Sequence, residues 1–403
     1  QKAWAEKTVE LENWSLYSLQ QRLMAGALGI SFMPTHSIAR SGMALDNKES
    51  FKEIDDPFGG EVKVGLVKAI NPDISIVHGC VSDAYGNTIL ATPYGDDLWG
   101  PLASSQVLVT VERIVPTDFI RKYAALVKIP GYIVSVVSLA PLGVHPFSLA
   151  NPGITDFNAY ETDMEFLQDL HKASADSHKL DNWIKEWVIN CATPEDYLNK
   201  LGSQRIMALQ KINIEGFQRH DFSAASLPSE PEPEYSPEEM MLIVAAREIK
   251  RSVLKSKHRF ILTGAGSGAV AVSIAYYQLK AKGYEIGLIT GNGRIGYEPQ
   301  PVELARQSVA GVHSSKMLTD TITAYGVFVG GRNSKCLSVL GAGQVDKYGN
   351  VNSTKTSKGQ FLVGSGGAND AANAKEVLVI LNQSKDRFPG TLPYVTCPGD
   401  RVT

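Results

Sequence analysis

The run Val81-Ser82-Asp83-Ala84-Tyr85-Gly86-Asn87-Thr88 returns in the second half of the chain as Val345-Asp346-Lys347-Tyr348-Gly349-Asn350-Val351-Asn352. Aspartate and asparagine tolerate left-handed backbone and bond their own main chain, while glycine supplies a positive φ, so each copy spells a tight turn. What precedes the turns is also alike. Pro72 to Cys80 and Cys336 to Gln344 both read as a short apolar strand running into small residues. The same local phrase twice, far apart and once per half, indicates a duplicated fold.

With 403 residues, 43% of them hydrophobic and 20% charged, the chain has material for two or three packed domains. A formal net charge of −3 supplies no basic field for nucleic acid, and no Lys/Arg block suggests a membrane surface. Cys80, Cys191, Cys336 and Cys397 are scattered without metal-ligand spacing, so neither a metal site nor a disulfide framework is expected. No stretch has the apolar length of a membrane span, and Gln1 to Lys7 lacks the apolar region of a signal peptide. The expectation is a soluble protein of a reducing cytoplasm.

Residues 221–236, with Pro228, Pro231 and Pro233 among acids and serines, read as a linker. Ser236, Pro237 and Glu239 then form a helix start of capping-box type. The expected division is 1–220, linker 221–236, and 237–403. In the first part, helical patterns (14–28, 163–175, 181–189, 194–201) alternate with β-rich runs at 62–67, 74–78, 107–111 and 132–139. The last three are apolar on both faces, which points to an α/β layer fold with mainly parallel sheets.

Two glycine loops carry the candidate chemistry. Gly264-Ala265-Gly266-Ser267-Gly268 follows the strand 260–263 and precedes a helix expected over 269–282, yet its GxGxG spacing is short of a dinucleotide fingerprint. A phosphate- or substrate-facing backbone loop fits it better. Gly364-Ser365-Gly366-Gly367-Ala368-Asn369-Asp370 precedes a helix expected over 371–376, and its amides suit an oxyanion or phosphate.

The run Gly341 to Thr354, followed by Gly364 to Asp370, resembles the β part of class I coenzyme A transferases, the glutaconate CoA-transferase type above all. The first half resembles the matching α part through Asp55-Asp56-Pro57-Phe58, Pro72 to Asn87, Leu139-Ala140-Pro141-Leu142-Gly143-Val144-His145-Pro146 and Glu195 to Gly202. The resemblance implies two similar domains with an acyl-CoA cleft between them, α and β parts fused in one chain, no permanently bound cofactor, and pairing of fused chains into a homo-oligomer. Measured against the family, the opening strands of the α part and the end of the β part are missing. It also implies that Gly341, Gly343, Gln344, Asn350, Gly364, Gly366, Gly367, Ala368 and Asn369 face coenzyme A, with the Gly366 and Gly367 amides at the oxyanion.

One position departs from the family. The loop that resembles Thr-Glu-Asn-Gly reads Thr290-Gly291-Asn292-Gly293 here, so Gly291 stands where the nucleophilic glutamate is expected. Glycine cannot form the glutamyl-CoA thioester. Relatives without that glutamate include a decarboxylase acting on glutaconyl-CoA and a hydrolase that opens the last ring in steroid breakdown; residues 93–98 and 111–115 resemble the latter. The resemblance thus favours hydrolysis or cleavage of a carboxylated or keto acyl-CoA. Transfer between an acyl-CoA and an acid, decarboxylation, and a non-catalytic acyl-CoA-binding scaffold remain as alternatives. A base is then needed. Glu10 and Glu12 are candidates through the hydrolase, with His145 and His78 as others.

Overall fold

The computed structural model describes residues 6, 8–215, 234–264, 266–299, 309–356 and 361–399. In the first half, helix α1 (Leu16–Ala27) leads into strands β1 (Phe32–Thr35), β2 (Phe51–Ile54) and β3 (Val64–Lys68), an antiparallel sheet ordered β1-β3-β2. Strands β4 (Ile74–Ser82), β5 (Thr88–Ile89), β6 (Gln106–Ile114), β7 (Val127–Ile129) and β8 (Val134–Leu139) make a second sheet, ordered β7-β5-β4-β6-β8. Its core, β4-β6-β8, is parallel.

The capping box expected at Ser236 is present. Helix α2 (Pro237–Ser256) has Ser236 as N-cap, and the Ser236 and Glu239 side chains satisfy each other's backbone amides. The rest of the expected linker, up to residue 233, lies outside the described residues. Strand β9 (Phe260–Thr263) and helix α3 (Ser267–Lys280) follow, then β10 (Gly287–Ile289), β11 (Arg294–Tyr297), β12 (Met317–Leu318), β13 (Cys336–Gly341), the hairpin β14 (Gln344–Val345) and β15 (Val351–Asn352), and β16 (Glu376–Ile380). The six-stranded sheet runs β12-β11-β10-β9-β13-β16, parallel from β10 to β16. The duplication is thus a structural fact: β4 and β13 each run beside a parallel neighbour, and the repeated turn follows β4 directly and β13 by way of β14.

The two turns share the same main-chain bonding. Asp83 Oδ1 accepts from the amides of Tyr85 (3.1 Å) and Asn87 (3.0 Å), and Asp346 Oδ1 from those of Tyr348 and Asn350 (both 3.0 Å). Gly86 and Gly349 take φ of +90° and +76°, the values that favour glycine. The repeat also continues beyond the turns. Asn87 Oδ1 accepts from the Gly131 amide at 3.0 Å, and Asn350 Oδ1 from the Gly399 amide at 2.9 Å. Both donor glycines follow a proline, in Pro130-Gly131 and Pro398-Gly399, and a Cβ on either would overlap the carbonyl of the turn tyrosine, Tyr85 or Tyr348.

Two expectations shift. The helix expected over 371–376 is a single turn, Ala368–Ala371, because the chain bends at Ala372 to Lys375 and Glu376 already begins β16. The strands expected to be buried on both faces are parallel but not wholly covered: Ile76 of β4 is 74% exposed, whereas its repeat partner Val339 of β13 is 1% exposed. Helices α2 and α3 pack over Val339 and Leu337, and among the described residues no helix does the same for Ile74 and Ile76.

Candidate active site

A cavity of 870 Å³ opens where β9, β10 and β13 end, the place at which open parallel sheets gather ligands because loops diverge and backbone amides point outward. Its walls come from Leu262–Gly264 after β9, Thr290–Asn292 after β10, Val339–Gly343 at the end of β13, and the Gly364–Ala368 loop. The first half contributes Leu16 and Asp96.

Of the residues assigned from the sequence, Gly291, Gly341, Gly343, Gly364, Gly367 and Ala368 line this cavity. Gln344, Asn350, Gly366 and Asn369 do not, and each has other work. Gln344 Nε2 donates to the Asp386 carbonyl at 2.9 Å, and its Oε1 accepts from Asn352. Asn350 holds the repeated turn. The Gly366 carbonyl accepts from the Leu16 amide at 3.0 Å. Asn369, fully buried, accepts from the Ile38 amide and donates to the Thr396 carbonyl, both at 2.7 Å. Asp370 continues the junction, taking Ser37 Oγ at 2.7 Å and the Tyr17 amide at 3.0 Å. The glycine loop therefore lines the cavity with one side and ties the two halves together with the other.

The candidate bases lie elsewhere. Glu10 is exposed, and Glu12 sits on the outside of the first half, bonded to Trp14 Nε1 at 3.0 Å and to Arg22. His145 has a fully buried side chain between Tyr197 Oη (2.6 Å) and Asp163 Oδ2 (3.2 Å). Burial pulls its pKa down, against the opposing pull of Asp163. His78 is bracketed by Thr110 Oγ1 at 2.9 Å and Glu112 Oε1 at 3.0 Å. Glu112 in turn accepts from the amides of Leu142 and Gly143 and from Tyr160 Oη.

Three cavity residues were not among the site residues expected from the sequence. Tyr325, 7% exposed, belongs to a π-helical stretch, Ala324–Val329, that reads simply as an apolar run. Its hydroxyl fills the space above two glycines: a Cβ on Gly291 or on Gly367 would overlap it. Burial, with smaller contributions from Asp370 and Asp96, pushes this phenol far above its usual range, so it remains an O–H donor. Arg294, 4% exposed, is a wall residue whose guanidinium carbon lies 4.7 Å from the centroid of the Tyr297 ring. Asp96 arrives from the other half. In addition, the wall residues Ser353 and Ser365 have buried hydroxyls without a hydrogen-bond partner, a state that native interiors usually avoid unless a ligand or water completes it.

Among the described residues no group of His, Cys, Asp and Glu could hold a metal ion, and no helix is long and apolar enough to cross a membrane.

Comparison with known proteins agrees with this architecture. Residues 1–140 match the family model for coenzyme A transferase. The chain is 29% identical over 216 residues to the A-type polypeptide of glutaconate CoA-transferase from Acidaminococcus fermentans, covering 50% of this chain and 65% of that polypeptide. It is 33% identical over 174 residues to the B-type polypeptide of 3-oxoadipate CoA-transferase from Pseudomonas knackmussii, covering 41% of this chain and 62% of that polypeptide. The chain thus spans less than two thirds of the length of these curated relatives. In fold it is similar to the crystal structure of an acyl-CoA transferase from E. coli O157:H7 in a thioester complex with CoA, with a TM-score of 0.60 at 15% identity, over 99% of this chain and 66% of that one. Similarity to an A-type and to a B-type coenzyme A transferase polypeptide thus falls within one chain, on a duplicated α/β fold.

Proposed function

We propose that the chain cleaves a CoA thioester without a covalent glutamyl intermediate, hydrolysing an acyl-CoA whose acyl part carries a second carboxylate or a ketone. The observation that carries this reading is the pairing of Gly291 with Tyr325. The position expected to hold the family's nucleophile has no side chain, and a buried phenol fills the space that a side chain would enter. Moving Tyr325 would disturb a cluster containing Leu262, Ile289 and Val329. Covalent relay through a carboxylate at 291 therefore does not fit this cavity.

The remaining walls suit a thioester. Gly341, Gly343, Gly364, Gly367 and Ala368 present backbone without side-chain bulk, as close approach to a CoA chain requires. The Tyr325 hydroxyl and the Gly367 amide are donors for a developing oxyanion. The Arg294 guanidinium supports an acyl group ending in a carboxylate. Transfer of CoA to an acid is the second reading, favoured by the relatives' names.

The test incubates the protein with a panel of dicarboxylic and keto acyl-CoAs, with and without acetate, and follows free CoA and acetyl-CoA by mass spectrometry. Free CoA without acetate, no acetyl-CoA, and no hydroxylamine-sensitive adduct on the protein are expected. Acetate-dependent acetyl-CoA would replace hydrolysis with transfer, and CoA binding without turnover would reduce the chain to an acyl-CoA binder. Light scattering of the same sample checks whether fused chains pair.

A further inference from the structure

We propose that Asp96, supplied by the first half, is the general base of the cavity built by the second half. The proposal rests on the acyl-CoA reading above and names the residue that reading lacks. Among the described residues lining the cavity, Asp96 is the only carboxylate. It is also the right kind of side chain in an accessible place, exposed to the cavity instead of sealed in the core.

The backbone on either side fixes it there. Tyr94 donates its amide to the Thr319 carbonyl at 3.0 Å, Thr321 donates to the Gly95 carbonyl at 3.2 Å, and Gly95 pairs in parallel with Asp320. The first half thereby adds an edge segment to the second half. Thr319 in turn donates to the Gly293 carbonyl at 2.9 Å, and a Cβ on Gly95 would lie 3.6 Å from Asn292 Cβ, the residue after Gly291. Thr321 Oγ1 then donates to Asp96 Oδ1 at 2.9 Å and sets the carboxylate's orientation.

The electrostatic surroundings suit a base. Partial desolvation in the cleft raises the Asp96 pKa, and the Thr321 bond opposes that only in part. The adjacent Asp97 is raised as well, by desolvation and by Asp96 itself. Facing groups are Asp320, which caps the Thr323 amide at 2.7 Å, the Tyr325 phenol with Asp370 behind it, and Arg294 on the wall.

The step balances with water alone. Asp96 takes a proton from water as the water oxygen bonds to the thioester carbonyl carbon, and the carbonyl electrons move onto its oxygen beside Tyr325. When the carbonyl reforms, the carbon–sulfur bond breaks, and the departing thiolate takes the proton back from Asp96. The products are a carboxylic acid and CoA.

The test measures kcat, KM and the pH–kcat profile of Asp96→Asn, Asp96→Glu and Thr321→Val on the acyl-CoA that the wild type cleaves best, with CoA affinity by calorimetry. Asp96→Asn should lower kcat by about 100-fold or more, the usual scale for general-base loss, while CoA affinity changes by less than about threefold. The wild-type acid limb should vanish in Asp96→Asn and persist in Asp96→Glu. Thr321→Val keeps the carboxylate and removes a donor to its charged form, so its acid limb should move to higher pH. That variant decides the matter if Asp96→Asn does not fold: an unmoved limb overturns the proposal. An active wild type with a fully active Asp96→Asn overturns this assignment alone. A wild type that cleaves no acyl-CoA overturns the functional reading and this assignment with it.

Discussion

At the end of β13 the chain places Gly341; at the matching point of β4, counted from the shared turn, it places His78. Around Gly341 a Cβ would meet nothing within 4 Å, and the residue lines the cavity. His78 instead fills its place with a ring locked between Thr110 and Glu112, and Glu112 is held by two amides and Tyr160. The same strand and the same turn thus frame an open cavity in one half and a closed polar cluster in the other. Duplication supplied two frames, and side-chain volume at one position decides which of them can receive a ligand.

If the turns are equivalent, removing their aspartates should hurt alike. Asp83→Ala and Asp346→Ala each strand two backbone amides and an asparagine side chain, so each should cost about 3 kcal/mol in urea-induced unfolding. Asp83→Ala should be the worse, since Thr117 Oγ1 also donates to Asp83 at 3.1 Å. An effect confined to one turn would break the equivalence.

Acid should separate the halves. Arg205, the Phe166 amide and His145 hold Asp163 down at about 2, overcoming a burial effect that acts upward. A carboxylate depressed below its unfolded value of about 3.9 stabilises the fold above that pH, and this contribution fades as pH falls toward 2. About 2 kcal/mol should therefore be lost between pH 5 and pH 2, and Asp163→Asn should abolish that part of the loss. The readout is denaturant unfolding followed by a first-half tryptophan such as Trp187. An identical acid slope in the variant would sink the idea.

The Pro-Gly clasps offer a milder comparison. Gly131→Ala and Gly399→Ala each drive a methyl into a tyrosine carbonyl, and each should lower stability by about 2 kcal/mol. Unequal losses in thermal melts would show that one clasp bears more of the fold than the other. Smallest in free energy, and most pointed, is Gly341→His. It places the first-half residue in the second-half frame, where there is room for it, so stability should stay within about 0.5 kcal/mol while CoA affinity falls about tenfold. Unchanged calorimetric affinity would remove Gly341 from the CoA surface.

Much of this frame was legible in the sequence because its determinants are local. Asp-x-Tyr-Gly-Asn specifies its turn within five residues, and Ser236-Pro237 with Glu239 specifies a helix start within four. The glycine loops, too, carry their own conformational reason. The clasps were missed because Pro-Gly announces a turn but not its partner: Gly131 and Gly399 bond asparagines 44 and 49 residues away. Asp96 and Tyr325 were missed for the same reason at larger scale. Their place in the cavity depends on one half laying an edge segment against the other, which no window of sequence displays. Glu10, Glu12 and His145 had suitable chemistry, but the fold gives the glutamates to the outer surface and the histidine to a buried network with Asp163 and Tyr197.

The Tyr325 hydroxyl above Gly291 and Gly367 also bears on the history open to this lineage. A glutamate arriving at 291 while Tyr325 remains would have to displace a buried ring, and a smaller residue arriving first at 325 would leave a void beside a side-chain-free loop. Either first substitution is harmful, and only the pair opens a path to covalent relay. Two contacting positions of that kind form a gate: drift can elaborate the present cavity far more easily than it can install a carboxylate at 291.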